Sequence, residues 1–335
     1  MIGRRTAAAA LVVLPLIALA SCSASAKDTP ATTAATQGAQ SAGCGAAAPE
    51  VLAQAAGAVA TKIYAGEAGS SATRADQREV EGYAPLLSAV ANGEAAAVKA
   101  AVTSLVYSGT HIVRLRVTKG PKLLADVGGP YILAPVGGTL RLAGHTIGRY
   151  VLSVQDDLGY VKLEARYIGA PLILRSGSHQ IPVAGQLTPG PASIPQHGPV
   201  SYRHVVYQAF SFNASAYPSG GLRISLLLPL PGGLTSKSCA EIRSAELGVV
   251  AQRVSRRFKL SPSDFSTYVG LVHILTGGLT YIRSGSHQLA GSTSPGPSRL
   301  PSTGAVKYRG VTYHVASFQA PSSVGIVTGY ELTAG

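Results

Sequence analysis

RSGSHQIPVAGQLTPGPASIPQHGPVSYRHVVYQAFSF, residues 175–212, is matched later in the chain by RSGSHQLAGSTSPGPSRLPSTGAVKYRGVTYHVASF, residues 283–318. Pro189 corresponds to Pro295 and Tyr207 to Tyr313, both at an offset of 106, while Arg175 corresponds to Arg283 at 108. The first copy therefore carries a short insertion, IPVAG against LAG. Self-similarity this long implies one structural unit used twice. It extends upstream, because Tyr160-Val161-x-Leu163 matches Tyr268-Val269-x-Leu271 at the offset of 108. Each unit also begins with a helical pattern after a cysteine, Cys44 or Cys239. The pattern predicts two related α+β units, 44–230 and 239–335, joined by a linker at 231–238.

Within each copy the pieces read alike. Leu172 to Arg175 is extended, Ser176-Gly177-Ser178 turns, and His179 to Val183 is extended again; Thr280 to Ala290 repeats the scheme. A PGP loop follows, then SYRHVVYQAFSF or KYRGVTYHVASF, read as one strand, and a last strand at Leu222 to Leu228 or Gly325 to Leu332.

The 335 residues include 39 Gly and 21 Pro, no Trp, and only 13% charged side chains. Such a profile suits a strand- and turn-rich extracytoplasmic protein and excludes a coiled coil or an acidic disordered chain. At the amino terminus Arg4 and Arg5 precede an apolar run, Ala7 to Leu19, and then Leu19-Ala20-Ser21-Cys22. A short apolar run closed by small residues is a secretory signal, not a spanning helix. The tetrad resembles the bacterial lipoprotein lipobox, which implies removal of residues 1–21 and lipidation of Cys22. Acyl chains there would hold the protein on the outer face of the cytoplasmic membrane, each buried CH₂ contributing roughly 0.8 kcal/mol. Residues 22–43, nearly all Ala, Ser, Thr, Gln and Gly, read as a flexible tether.

Formal net charge is +13. A basic exported protein is attracted to anionic lipid, wall polymers or acidic ligands. Its basic residues are scattered and no nucleic-acid motif occurs, so nucleic acid is not an expected partner. With Cys22 lipidated, Cys44 and Cys239 remain in an oxidising compartment, where two leftover thiols usually pair. A Cys44–Cys239 disulfide would staple the starts of two neighbouring helices and, in the chain-entropy model, contribute on the order of 3–5 kcal/mol. Two free thiols remain the alternative.

Pro49 and the apolar series Val51, Leu52, Ala55, Val59, Ile63 predict a helix. Gly66 to Glu81 is polar and predicts a looser connection. Tyr83 to Val106 is helical again, interrupted at Asn92-Gly93 by the expected left-handed C-terminal position. Beyond Gly109 the period is two: Val113, Leu115 and Val117 share one face, Lys119-Gly120-Pro121 turns, and Leu123 to Val127 returns. Thr146 to Gln155 and Tyr160 to Ile168 read as a hairpin around Asp156-Asp157-Leu158-Gly159. Its apolar face would be Tyr150, Leu152, Val154, Val161, Leu163 and Ala165. The part not duplicated is read as Gly109 to Ile168.

The helical LLSAVANGEAAAVKAAVTSL, the segment LLADVGGPYILAPVGGTL and GRYVLSVQDDLGYVKL together resemble an extracytoplasmic Cache domain, a PAS-like sensory module. The whole chain resembles an actinobacterial lipoprotein of that type. The resemblance covers roughly Leu86 to Arg175 and implies a PAS/Cache-like antiparallel sheet with packed N-terminal helices. A second, smaller related α+β unit follows it. The chain lacks the Trp-containing motif with which many such modules hold an amino acid's carboxylate, so that ligand class is not carried over.

Ser176, Ser178 and His179, repeated as Ser284, Ser286 and His287, suggest a hydrolase at first sight. Catalysis needs the serine within hydrogen-bond reach of an oriented histidine. Neighbours on a strand point to opposite faces, so a hairpin turn explains the motif better. Asp156-Asp157 lacks the ligand spacing of a calcium loop. Neither metal nor cofactor is expected. Tyr202-Arg203 and Tyr308-Arg309 read as packed strand residues.

The reading that results is a non-enzymatic extracytoplasmic ligand-binding or sensory lipoprotein for a small anionic or polar ligand. Having no output region of its own, it would signal through a membrane partner. The expected lining, between sheet and helices, is Arg149, Ser153, Gln155, Tyr160, Lys162 and Tyr131. The alternative is a structural or envelope-interaction lipoprotein that binds wall polymer or another protein.

Overall fold

Duplication organises the chain, and the elements are best followed from the first copy outward. The computed structural model describes residues 43–107, 111–129, 132–217, 220–258 and 260–335. The leader, Cys22, nearly all of the tether and Tyr131 lie outside those residues. Among the described residues no helix is long and apolar enough to cross a membrane.

The first copy opens with α1, Ala48–Ala68, begun by Pro49 and Glu50 in its first turn. Pro removes an N–H that would be unpaired there, and the acid faces the positive end of the helix dipole. Leu52, Ala56, Val59, Ala60 and Ile63 form its buried face. An insertion follows. Its first element, α2, Ser71–Gly82, falls where a loose connection is expected. Ser70 explains it: its hydroxyl accepts the Thr73 N–H at 2.9 Å, capping a helix whose one apolar anchor is the buried Val80. α3, Ala84–Asn92, stops at Gly93 in the left-handed region at φ 74°, and α4, Ala95–Tyr107, follows.

The inserted strands are β1 (Arg114–Lys119), β2 (Lys122–Gly128), β3 (Ile132–Leu133), β4 (Val136–Leu142), β5 (His145–Ser153) and β6 (Gln155–Asp156). Four of them make an antiparallel sheet of order β2-β1-β5-β4. Leu115, Val117, Tyr150 and Leu152 bury one face of it against Val90, Val98, Val102 and Leu105. β3 and β6 instead join the first copy's own sheet.

Tyr160 to Ile168 is not the second strand of a hairpin. It belongs to α5, Asp157–Tyr167. The Asp156 carboxylate accepts the Gly159 N–H at 2.5 Å, so the Asp-Asp pair caps a helix instead of closing a tight turn. Tyr160, Val161, Glu164, Tyr167 and Ile168 are buried, a spacing of one, four, seven and eight. That is the helical period, whereas the alternating set fails at Leu163, half-buried, and Ala165, exposed.

The first copy then builds β7 (Leu172–Ser176), β8 (His179–Gln180), β9 (His197–Tyr202), β10 (Val205–Tyr217) and β11 (Gly220–Pro229). Their order is β6-β3-β10-β11-β7-β8, with β9 also on β10. SYRHVVYQAFSF is thus two strands, not one. Arg203 and His204 have φ of 48° and 64° and form a two-residue turn; Arg309 and Gly310, at 49° and 82°, do the same in the second copy. Paired positive φ marks the turn whose twist matches a right-twisted ribbon.

The second copy comprises α6 (Cys239–Ser255), α7 (Pro262–Thr276), β12 (Leu279–Ser284), β13 (His287–Gly291), β14 (Thr303–Tyr308), β15 (Val311–Ser322) and β16 (Gly325–Ala334). Its sheet order, β13-β12-β16-β15-β14, repeats β8-β7-β11-β10-β9. α7 is the counterpart of α5, so the insertion runs from α2 to β6 and is longer at its start and shorter at its end than 109–168. The protein is α+β: packed N-terminal helices, an antiparallel sheet, and a second, smaller related α+β unit.

One apolar core runs between the copies, from Val59 and Leu226 to Val250, Val272 and Phe318. α1 packs on its own counterpart α6, α1 touches α7, and α6 touches α5. Those reciprocal contacts are the pattern of a two-fold relation. A disulfide joins Cys44 to Cys239, with Cα atoms 4.8 Å apart, at the head of the α1–α6 pair.

Candidate functional site

The space expected to hold a ligand, between the inserted sheet and its helices, is filled by the side chains of the insertion's own core. The structure also separates the residues expected to line it. Tyr160 is wholly buried in the core shared by the copies, edge-on to Tyr64 at 5.4 Å. Ser153 is wholly buried too; its hydroxyl donates to the Leu133 carbonyl and accepts the Gln155 N–H at 3.2 Å, which fastens β3 to β5. Gln155 is half-buried on β6, Lys162 is exposed on α5, and Arg149 is exposed on the sheet. Once Tyr160 to Ile168 is helical, no common polar face remains for them to share.

Arg149 does take part in a surface feature. With Arg116, Thr118, Gly137 and Thr139 it lines a shallow depression of about 520 Å³ on the sheet. Nearby, the Arg114 guanidinium grips Asp126 with two hydrogen bonds, at 2.7 and 2.9 Å.

A better-built concavity lies in the second copy, where α6 crosses β15. The groove has a volume of about 630 Å³. Gly248, Ala316 and Phe318 give it an apolar floor, and Lys237, Glu241, Gln252, Thr303 and His314 give it a polar rim. The duplication explains why it is open. On β10 of the first copy, Phe210 is paired with His197 of β9, and on β15 Ala316 is paired with Thr303 of β14. These are the same places in the repeat, at the offset of 106. The Phe210 ring lies against Gly57 of α1 and edge-on to His197 at 4.9 Å. In the second copy Gly248 of α6 meets only the methyl of Ala316. The ring pair that fills one groove is absent from the other.

Two rim residues are chemically distinct. The Ser238 backbone N–H and hydroxyl both donate to Glu241 Oε2 at 2.8 Å, and they hold its carboxyl below the usual range. Glu241 is therefore a fixed negative charge, and the same bonds cap α6. His314 Nδ1 is shielded from solvent and has no hydrogen-bond partner among the described residues. An orphaned polar atom of this kind carries a desolvation cost that a ligand group would relieve. The hint of this groove in the sequence was the Phe210-to-Ala316 difference, one of four between VVYQAFSF and VTYHVASF.

The repeated RSGSHQ motif has a structural role in both copies. Ser178, His179, Ser286 and His287 are exposed at hairpin turns whose glycines, Gly177 and Gly285, have φ of 59° and 57°. The arginine reaches back into the PGP loop. Arg175 donates to the carbonyls of Pro191 and Ala192, and Arg283 to those of Pro297 and Ser298. Gln180 and Gln288 donate to the loop carbonyls of Leu187 and Thr293, at 2.9 and 3.3 Å. Tyr202 and Tyr308 donate to the carbonyls of Pro189 and Pro295, each of which follows a cis peptide bond. Each tyrosine also lies under the neighbouring arginine of its turn, Arg203 or Arg309, 5.1 Å from the ring centre.

Several carboxyls are held in unusual states. Burial pushes Glu164 and Glu331 up to about 8 and Glu246 to about 7. The hydroxyls of Thr276 and Thr280 donate to Glu331 at 2.6 and 2.8 Å and oppose that rise. Among the described residues no cluster of His, Cys, Asp or Glu is arranged to hold a metal ion.

No protein-family model matches the chain. No curated protein matches it either. Among solved structures, the periplasmic domain of LuxQ from Vibrio cholerae aligns with 86% of this chain and 97% of its own at 6% identity. The TM-score is 0.16, and a superposition of that quality does not establish a shared fold.

Proposed function

We propose that the protein is a non-enzymatic extracytoplasmic binding lipoprotein, tethered through Cys22, whose ligand occupies the groove between α6 and β15. The observation that carries this reading is the open groove itself, in a copy whose twin fills the same place with Phe210 and His197. The ligand has an apolar ring for the floor of Gly248, Ala316 and Phe318, and polar groups for His314, Glu241, Lys237 and Gln252. Burying a ring in such a slot releases apolar surface from water at roughly 25 cal/mol per Å². The polar rim sets its orientation. A sensory role would need a membrane partner to carry the signal, and an unliganded and a liganded groove would be the two states read.

The test is a fragment screen with benzoate, tyrosine and indole, followed by amide NMR shifts on the full chain and on Ala316→Phe. The expected result is shifts at Gly248, Ala316 and His314 that disappear in the variant. Equal shifts in both proteins, or none in either, would end the proposal.

A second reading rests on a different observation, the arginine-bearing depression on the open face of the inserted sheet. It supports contact with an anionic envelope polymer. Loss of wall-polymer sedimentation in Arg116→Gln/Arg149→Gln, with fragment binding intact, would favour it.

A further inference from the structure

Four arginines surround a third concavity that neither reading uses. Arg166 stands in the last turn of α5, Arg253 in the last turn of α6, and Arg256 and Arg257 just beyond it. Together they line a cavity of about 230 Å³ at the junction of the two copies. It shares no lining residue with the α6–β15 groove.

Helix C-termini attract cations, which accounts for an arginine at each end separately. It does not account for four guanidiniums gathered on one cavity. Like charges at this spacing repel, and among the described residues no carboxylate lies within ion-pair distance of any of the four. Two acids act on them at longer range. Arg257 opposes the rise in the Glu67 carboxyl, and Arg253 that in Glu246, but burial dominates for both. Two of the four are also held in position. Arg257 donates to the Tyr167 hydroxyl and lies over that ring, 5.5 Å from its centre. Arg253 lies against Gly169, where a β-carbon would collide with its guanidinium, and its Nε is shielded from solvent without a partner. Arg166 and Arg256 are exposed.

We infer that this cavity binds a phosphate group, as an ester or a free oxyanion. Guanidiniums present planar forks of donors that match phosphate oxygens two at a time, and a doubly charged tetrahedral anion takes up more such forks than a carboxylate. Either a phospholipid headgroup or a soluble phosphate presents that chemistry to an exported protein.

The experiment measures binding of pyrophosphate to the full chain by calorimetry, at fixed ionic strength, for the wild type, Arg166→Gln/Arg256→Gln and Arg166→Lys/Arg256→Lys. The glutamine variant is expected to bind about tenfold more weakly, and the lysine variant to fall between the two. Both substituted positions are exposed, so folding is retained and is checked by circular dichroism. Sedimentation with phosphatidylglycerol vesicles, against phosphatidylcholine alone, separates the sources. Vesicle binding that pyrophosphate displaces assigns the lipid headgroup, and pyrophosphate binding without vesicle binding assigns a soluble phosphate. Equal affinity in the glutamine variant overturns the inference, as does poly-glutamate binding as tightly as pyrophosphate. Neither result touches the Ala316→Phe test of the groove.

Discussion

Phe210 and Ala316 stand at one position of the repeat, the first covering Gly57 and the second leaving Gly248 beneath an open groove. The two copies therefore act as each other's control. Phe210→Ala should open a groove in the first copy and cost about 2–4 kcal/mol, since a half-buried ring is removed and a cavity is left. Ala316→Phe should change stability by less than about 1.5 kcal/mol, because the first copy shows that a ring fits against a helix glycine there. Urea unfolding of both variants checks the pair. A large loss in Ala316→Phe would show that α6 lies too near its sheet for a ring.

The Cys44–Cys239 disulfide closes a loop spanning 195 positions. Reducing it, or replacing both cysteines by serine, should lower stability by about 2–5 kcal/mol. The unreduced protein should show no alkylatable thiol other than Cys22 where that residue is unlipidated. Mass spectrometry after alkylation, with and without reductant, reads the count directly.

Stability should fall as pH rises from about 5 to about 8.5. Glu164 and Glu331 bind protons in the folded protein up to about 8, and in the unfolded chain only up to the ordinary 4.5. Between those values the folded state holds more protons, so its advantage is full at low pH and is lost as the pH passes the folded values. Glu331→Gln keeps an acceptor for the hydroxyls of Thr276 and Thr280 and should flatten the upper part of the curve. Thermal unfolding across the range measures it, and a midpoint that climbs from pH 5 to 8.5 would contradict the assignment.

Arg283 is 5% exposed, whereas Arg175 is half-buried. Both donate to a pair of loop carbonyls, so deletion orphans acceptors in each copy. Arg283→Ala should cost about 2–3 kcal/mol and Arg175→Ala roughly half that, because water reaches the first copy's loop. Chemical denaturation compares the two. A lysine at either site restores the charge without the fork and should recover only part of the loss.

Much of the scaffold was legible in the residues. RSGSHQ and PGP marked the duplication, the cysteines marked the equivalent helix starts, and Asn92-Gly93 marked a helix end. The errors were local and physical. Val161, Leu163 and Ala165 alternate, but the longer set from Tyr160 to Ile168 has helical spacing, and Asp156 caps it. Arg203-His204 has no glycine, so the turn shows only through its partner Arg309-Gly310. Ser70 caps a helix too polar to announce itself by periodicity. The described residues of the expected lining stand apart for the same reason that the hairpin is absent. Five of the six, Arg149, Ser153, Gln155, Tyr160 and Lys162, were chosen as one face of an element that the chain does not form, and Tyr131 lies outside the described residues. A groove made by the lack of a ring leaves no motif, and only the comparison of two copies exposes it.

The reciprocal packing of α1 and α6 is the architecture of a homodimer drawn into one polypeptide. A lone copy would present its helix face to a twin. Fusion makes that encounter intramolecular and independent of concentration. It also frees the halves from having to match. One half carries an 86-residue insertion, Ser71 to Asp156, and the other trades a ring for a methyl, neither of which a symmetric dimer could do on one side alone.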